Sequence, residues 1–115
     1  MADQYVSGDW KVRTGSEDEF VARWRAFTGW SLENAPGARS FVLIRDMEEP
    51  RHFLSFGSWT DLESVRAWRA TSEFAQLLGR CRELCEEFHA GDYSLAASPT
   101  HARITSNQGT ATDGV

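Results

Sequence analysis

The chain has 115 residues, of which 41% are hydrophobic and 25% charged, with a formal net charge of −5. That balance describes one globular domain; it carries no run near the ~20 apolar residues needed to span a bilayer, and its Arg and Lys are scattered among Asp and Glu rather than gathered into the basic stripe of a nucleic-acid or anionic-membrane binder. Met1-Ala2-Asp3-Gln4 has neither the basic nor the apolar region of a secretory signal, so a cytoplasmic protein is expected.

Residues 5–12 alternate, with Val6, Gly8, Trp10 and Val12 on one side, and predict a first strand. Arg13-Thr14-Gly15 is a turn. Ser16 with Glu19 three residues later reads as a capping box, and Glu17, Asp18 and Glu19 suit the positive end of a helix. Phe20, Trp24, Phe27 and Trp30 form its apolar face, and Asn34-Ala35-Pro36-Gly37 ends it. Phe41-Val42-Leu43-Ile44 predicts a second strand buried on both faces. After a hairpin connection at Met47–Pro50, residues 51–59 predict a third strand, with Leu54 and Phe56 on one face and Phe53 and Trp59 on the other. Thr60 and Glu63 read as a second capping box. Leu62, Val65 and Trp68 line the helix that follows, and Thr71-Ser72-Glu73 interrupts it with two plausible caps. Phe74, Leu77, Leu78, Cys81, Leu84, Cys85 and Phe88 then continue at helical spacing. The last strand is expected at Tyr93–Ala97, with His89 near its start. Residues 1–97 are the expected domain, and the polar segment 98–115 is an expected mobile tail containing His101.

The element order is βαββαβ, an α+β, ferredoxin-like arrangement with an antiparallel sheet. In a single copy the helices cover one sheet face. Strands two and three nevertheless carry large apolar residues on both faces, where a wet face should be polar. A bare apolar face marks an interaction surface, and the simplest cover is the same face of a second copy, so a homodimer is expected. Cys81 and Cys85 lie one helical turn apart on the apolar stripe. A redox pair is one reading; two reduced thiols packed as small hydrophobes is the favoured one, and suits a reducing cytoplasm. No CxxC or HxxxH spacing points to a metal.

The run Phe56-Gly57-Ser58-Trp59-Thr60-Asp61-Leu62-Glu63-Ser64-Val65, followed by Ala67-Trp68-Arg69-Ala70-Thr71-Ser72-Glu73-Phe74, resembles the antibiotic biosynthesis monooxygenase family. That family shows a strand ending in Trp, an acidic helix start, then Trp-Arg, a Ser or Thr three residues after that Trp and a Phe six after it. Trp59, Trp68, Arg69, Thr71 and Phe74 match, and Pro36-Gly37-Ala38 is also similar. The resemblance covers about residues 5–97. It implies a dimeric α/β barrel and, among enzymatic members, either cofactor-independent oxygenation of quinols and anthrones or haem degradation. Haem-degrading members place an iron-ligating His ten residues after the helix-two Trp and an Asn on the first strand. Here those positions are Leu78 and Gly8, and Leu offers iron no lone pair, so haem degradation is disfavoured.

Cofactor-free oxygenation asks only for a dry pocket, aromatic walls and a few polar groups. Trp10, Trp24, Phe27, Phe56, Trp59 and Trp68 are candidate walls, though aromatic stripes at these spacings also build ordinary core. His52 is the best titratable candidate, since its ordinary pKa of ~6.5 suits proton transfer near neutrality; as an end-of-strand residue it can equally sit at the surface. His52, Trp59 and Trp68 are thus the candidate catalytic residues. Trp10, Trp24, Phe27, Ser55, Phe56 and Arg69 are the candidate substrate contacts, for a small aromatic substrate with no cofactor. A non-catalytic small-molecule binder or cyclase-like accessory protein on the same fold is the alternative.

Overall fold

A computed structural model describes residues 3–100. The elements are β1 (Gln4–Val12), α1 (Glu17–Asn34), β2 (Ala38–Arg45), β3 (His52–Trp59), α2 (Leu62–Arg69), α3 (Ser72–Arg82) and β4 (Cys85–Ser94). The sheet order is β2-β3-β1-β4, with every neighbouring pair antiparallel. This is the expected βαββαβ α+β fold. Most of the expected tail, including His101, lies outside the described residues; residues 95–100 carry no helix or strand.

Strand alternation sorts the two faces. Val6, Trp10 and Val12 of β1 and Phe53 and Trp59 of β3 are buried against Phe20 and Phe27 of α1, Val65 and Trp68 of α2 and Cys81 of α3. The opposite face has no helix over it among the described residues. Val42 (49%), Ile44 (48%) and Phe56 (39%) are left exposed there on β2 and β3.

Local signals were right about the helices and wrong about two of their caps. Ser16 makes no side-chain cap bond; instead Glu17 Oε1 accepts from Gly15 N at 2.9 Å, where Gly15 turns the chain at φ +90°. Asp61, not Thr60, caps α2, accepting from Ser64 N at 2.8 Å. Thr71 caps α3 as expected, accepting from Phe74 N at 3.1 Å.

The larger correction concerns residues 83–97. The helical spacing through Leu84, Cys85 and Phe88 does not continue α3, which stops at Arg82. The last strand starts at Cys85, eight residues earlier than expected, and ends at Ser94. The reason is a bulge. Lys11 pairs with Glu87 but Val12 pairs with Cys85, so β4 carries one extra residue there. The extra residue lets Cys85 and Phe88, three apart, face the core together, which imitates a helical stripe.

Cys81 and Cys85 are free and buried. Burial pushes their thiols up to about 12 and about 11, so both remain protonated and poorly nucleophilic near neutrality.

Candidate functional site

The inner face of the sheet is not filled everywhere. Ser55 on β3 pairs with Gly8 on β1, and Gly8 pairs with Ala90 on β4. This row crosses three strands with no side chain larger than a hydroxymethyl group. Gly57, one step along β3, extends the small patch. The helices above rest on larger groups to either side, so a cavity of about 210 Å³ remains between sheet and helices.

Aromatic rings wall the cavity. Trp10 packs against Phe88 and Phe20, with ring centres 4.2 and 5.0 Å away. Trp68 stacks on Phe27 at 5.7 Å with an interplanar angle of 10° and meets Phe74 at 4.6 Å. Trp24, Phe41 and Leu78 complete the walls. Both buried wall tryptophans have their indole N–H tied to a serine. Trp10 Nε1 donates to Ser55 Oγ at 3.0 Å, and Trp68 Nε1 donates to Ser31 Oγ at 2.9 Å. Ser31 in turn donates to Phe27 O at 2.9 Å. These bonds fix the orientations of the two rings that border the cavity.

Arg69, the last residue of α2, lines the cavity and reaches Asp92 on β4 in a two-pronged ion pair of 3.0 and 2.5 Å. Hydrogen bonding from the guanidinium holds the Asp92 carboxyl below its ordinary range. The pair ties α2 to the edge strand. Arg69 and Asp92 are the charged side chains among the described residues that line the cavity.

Seven of the nine expected site residues therefore border one cavity: Trp10, Trp24, Phe27, Ser55, Phe56, Trp68 and Arg69. Phe56 borders it from the strand, yet by alternation it belongs to the opposite face, where it is partly exposed. His52 and Trp59, expected at the site with Trp68, do not line it. Trp59 is fully buried beneath Trp68, with ring centres 4.6 Å apart, and its Nε1 has no hydrogen-bond partner among the described residues. Its contact with the cavity is indirect, through the Trp68 ring.

His52 lies on the helix-free face. Its Nδ1 is 3.0 Å from Asp46 Oδ2 and its Nε2 is 2.8 Å from Asp9 Oδ1. A ring held by two ionised carboxylates needs both nitrogens to donate, which favours imidazolium. The Asp46 and Asp9 bonds raise the His52 pKa, and the His52 bond, with the Glu48 and Glu49 backbone amides, lowers Asp46 to about 2. Lys11, Glu49, Glu87 and His89 share this patch. The signs fix the pH window. The His52 contribution is complete below its unfolded pKa of ~6.5 and is lost as pH rises through the raised folded value; the Asp46 contribution is complete above its unfolded value and is lost as pH falls toward 2. The stability advantage of wild type over His52→Gln should therefore be greatest between about pH 4.5 and 6 and shrink toward pH 8.5. Urea midpoints of the two proteins across that range measure it, and a pH-independent gap would contradict it.

Sequence reasoning missed Thr28, Phe41, Phe74, Leu78, Phe88, Ala90 and Asp92 as neighbours of one cavity, and Ser31 as the partner of the Trp68 indole. Phe74 was visible in the helix stripe. Ala90 and Asp92 had no local signal, because they reach the cavity only through the β1–β4 register.

No His, Cys, Met or Tyr lines the cavity among the described residues, so its donor set offers no ordinary axial ligand to haem iron. Leu78 stands in the wall and Gly8 in the floor, and the group does not fit. The described residues also hold no cluster of three or more His, Cys, Asp or Glu able to bind a metal ion, and no described helix is long and apolar enough to cross a membrane.

Known proteins place this arrangement. No curated protein matches the chain. Among solved structures, SnoaB, a cofactor-independent oxygenase from Streptomyces nogalater, is similar over 85% of this chain and 97% of its own, with a TM-score of 0.77 at 17% identity. A conserved protein from Methanosarcina mazei is similar over 81% and 92%, with a TM-score of 0.73 at 17% identity. A solved antibiotic biosynthesis monooxygenase is similar over 84% and 99%, with a TM-score of 0.67 at 18% identity. At such identities these likenesses speak for the fold alone. The family model for antibiotic biosynthesis monooxygenase matches residues 4–79, from β1 into α3, and leaves the β4 side of the cavity beyond the match. The sequence match and the shared fold agree, and the chain belongs to the antibiotic biosynthesis monooxygenase family.

Proposed function

We propose that this protein is a cofactor-independent monooxygenase that oxidises a small aromatic quinol- or anthrone-like compound, and that it works in the cytoplasm as a homodimer. The observation that carries the reading is the aromatic-walled cavity above Ser55, Gly8 and Ala90. A flat substrate sits against the aromatic lining of Trp10, Trp68 and Phe27, which shields the reacting carbon from water. There the substrate loses a proton to become a delocalised anion, which is itself the reductant. One electron passes to O₂, the radicals combine to a hydroperoxide, and loss of water leaves a carbonyl. For a ring methylene the sum is R₂CH₂ + O₂ → R₂C=O + H₂O, so no flavin or metal is needed. Asp92 is the carboxylate that lines the cavity, and its ion pair with Arg69 keeps it ionised but makes it a weak base, so the proton leaves to solvent or to a second ionisable group of the substrate.

The homodimer reading is supported by the exposed Val42, Ile44 and Phe56 on the helix-free face. The cytoplasmic reading is supported by two free, buried thiols. One observation favours the non-catalytic alternative: the charged groups at the cavity are already paired with each other, so no free general base lines it. Oxygen uptake separates the two readings. With a panel of dihydroxynaphthalenes and anthrones, and no added metal or flavin, uptake above buffer is expected for at least one compound. Binding by calorimetry without uptake across the panel would reject the oxygenase in favour of the binder.

A further inference from the structure

We propose that Ser55, braced by Trp10, is the oxyanion-recognising residue of the cavity, and that the atom it grips is an ionisable enol or phenol oxygen of an aromatic ligand. The inference rests on the reading of the cavity as a substrate site and specifies the substrate atom that the protein grips.

Ser55 is only 8% exposed, yet it lines the cavity. A hydroxyl can donate once and accept twice. Ser55 Oγ accepts from Trp10 Nε1, and among the described residues its own hydrogen has no acceptor. The donation from Trp10 polarises the hydroxyl and makes it a stronger donor. Gly8 keeps it uncovered, since a Cβ at that position would lie 2.7 Å from Ser55 Oγ. The other buried polar side chains of the lining are committed: Thr28 Oγ1 donates to Trp24 O at 2.9 Å, and the Trp68 indole is held by Ser31. Ser55 is therefore the uncommitted buried donor among the described lining residues.

A donor with no acceptor selects a ligand that brings one. An ionised oxygen accepts a hydrogen bond roughly twice as strong as a neutral one. The charged lining groups, Arg69 and Asp92, largely cancel each other, so discrimination between the neutral and ionised ligand falls to Ser55. In the oxygenation chemistry that anion is the species that reduces O₂, and a fixed donor at its oxygen stabilises it. About 210 Å³ exceeds the ~150 Å³ that accommodates benzene in an apolar core, so the cavity admits at least one aromatic ring.

The probe is 4-nitrophenol, whose anion absorbs visible light. Bound to wild type, its apparent pKa should fall about one unit below that of the free compound, which corresponds to roughly tenfold preference for the anion. Ser55→Ala should abolish the shift, while 4-nitrotoluene, similar in shape but without the hydroxyl, binds both proteins within about twofold. Because Ser55→Ala leaves the Trp10 N–H without a partner, the double variant Trp10→Phe/Ser55→Ala supplies a second comparison, and it too should show no shift. Failure of 4-nitrophenol to bind, an unshifted pKa in wild type, or a full shift surviving in either variant overturns the proposal. No turnover is required. Oxygen uptake without the shift sinks the Ser55 role alone; the shift without uptake sinks the oxygenase and leaves the Ser55 role standing.

Discussion

Trp68→Ala is expected to lower the unfolding free energy by about 3–5 kcal/mol, the range for deleting a large buried aromatic side chain. Trp68 is 5% exposed and contacts more rings than its neighbours do. Phe27, Phe41, Trp59 and Phe74 lie 4.6–6.1 Å from it, centre to centre, so one deletion opens a void shared by α1, α2, α3 and the sheet. The same change removes the donor to Ser31 and one wall of the cavity. Trp68→Phe separates the two roles. It keeps most of the ring, and Ser31 keeps its bond to Phe27 O, so the stability loss should stay near about 1–2 kcal/mol. Urea denaturation followed by far-ultraviolet circular dichroism measures both. A loss below about 1 kcal/mol for the alanine variant would show that the aromatic cluster relaxes into the void and does not hold the helices on the sheet.

Adding one carbon at Gly8 should cost nearly as much as removing the whole indole at Trp68. A Cβ on Gly8 would lie 2.5 Å from Trp10 Nε1 and 2.7 Å from Ser55 Oγ, closer than real side chains tolerate. Phe20 and Phe88 pack against the Trp10 ring and limit its retreat. Gly8→Ala therefore adds overpacking, typically about 1–3 kcal/mol, to a buried donor pulled from its acceptor, about 1–3 kcal/mol more. A total of about 2–6 kcal/mol should lower Tm by roughly 10–30 °C in a domain of this size. Ligand binding should be lost with it, because the new methyl group stands in the floor. Gly79→Ala is the internal control. No atom lies within 4 Å of its missing Cβ, and it sits inside α3, so Tm should rise by a few degrees. Scanning calorimetry of both variants decides it. Equal stability for Gly8→Ala and wild type would mean that the β1 floor is loose enough to rearrange, and the cavity would not be preformed.

The strands and helices were legible because each is written locally. Period-two burial along Val6, Trp10 and Val12, and the helix stripe of Phe20 and Phe27, follow from backbone geometry that any isolated segment obeys. Thr71 was legible for the same reason: it is a polar residue that can bond the amide three residues on. The boundary between α3 and β4 was not, because a bulge at the β1–β4 pairing gives strand residues a helical spacing. His52 was misplaced for a related reason. The sequence carries its phase with Leu54 and Phe56, but nothing local states which face of β3 the helices will cover. The helices took the face of Phe53, Ser55 and Trp59, which put His52 against Asp9 and Asp46 on the other side.

By itself, then, the sequence determined the element order, the antiparallel α+β class, the family and the aromatic character of the site. All of these rest on residues near one another in the chain. Tertiary structure alone decided where the cavity lies and what it offers. Ser55, Gly8 and Ala90 come from three separate strands, and they form an open floor only because the β3–β1 and β1–β4 registers set them side by side. Arg69 meets Asp92 across 23 positions of sequence, and Trp10 meets Ser55 across 45. Register is fixed by burying a whole face at once, a cooperative property of the folded sheet that no short window of residues contains.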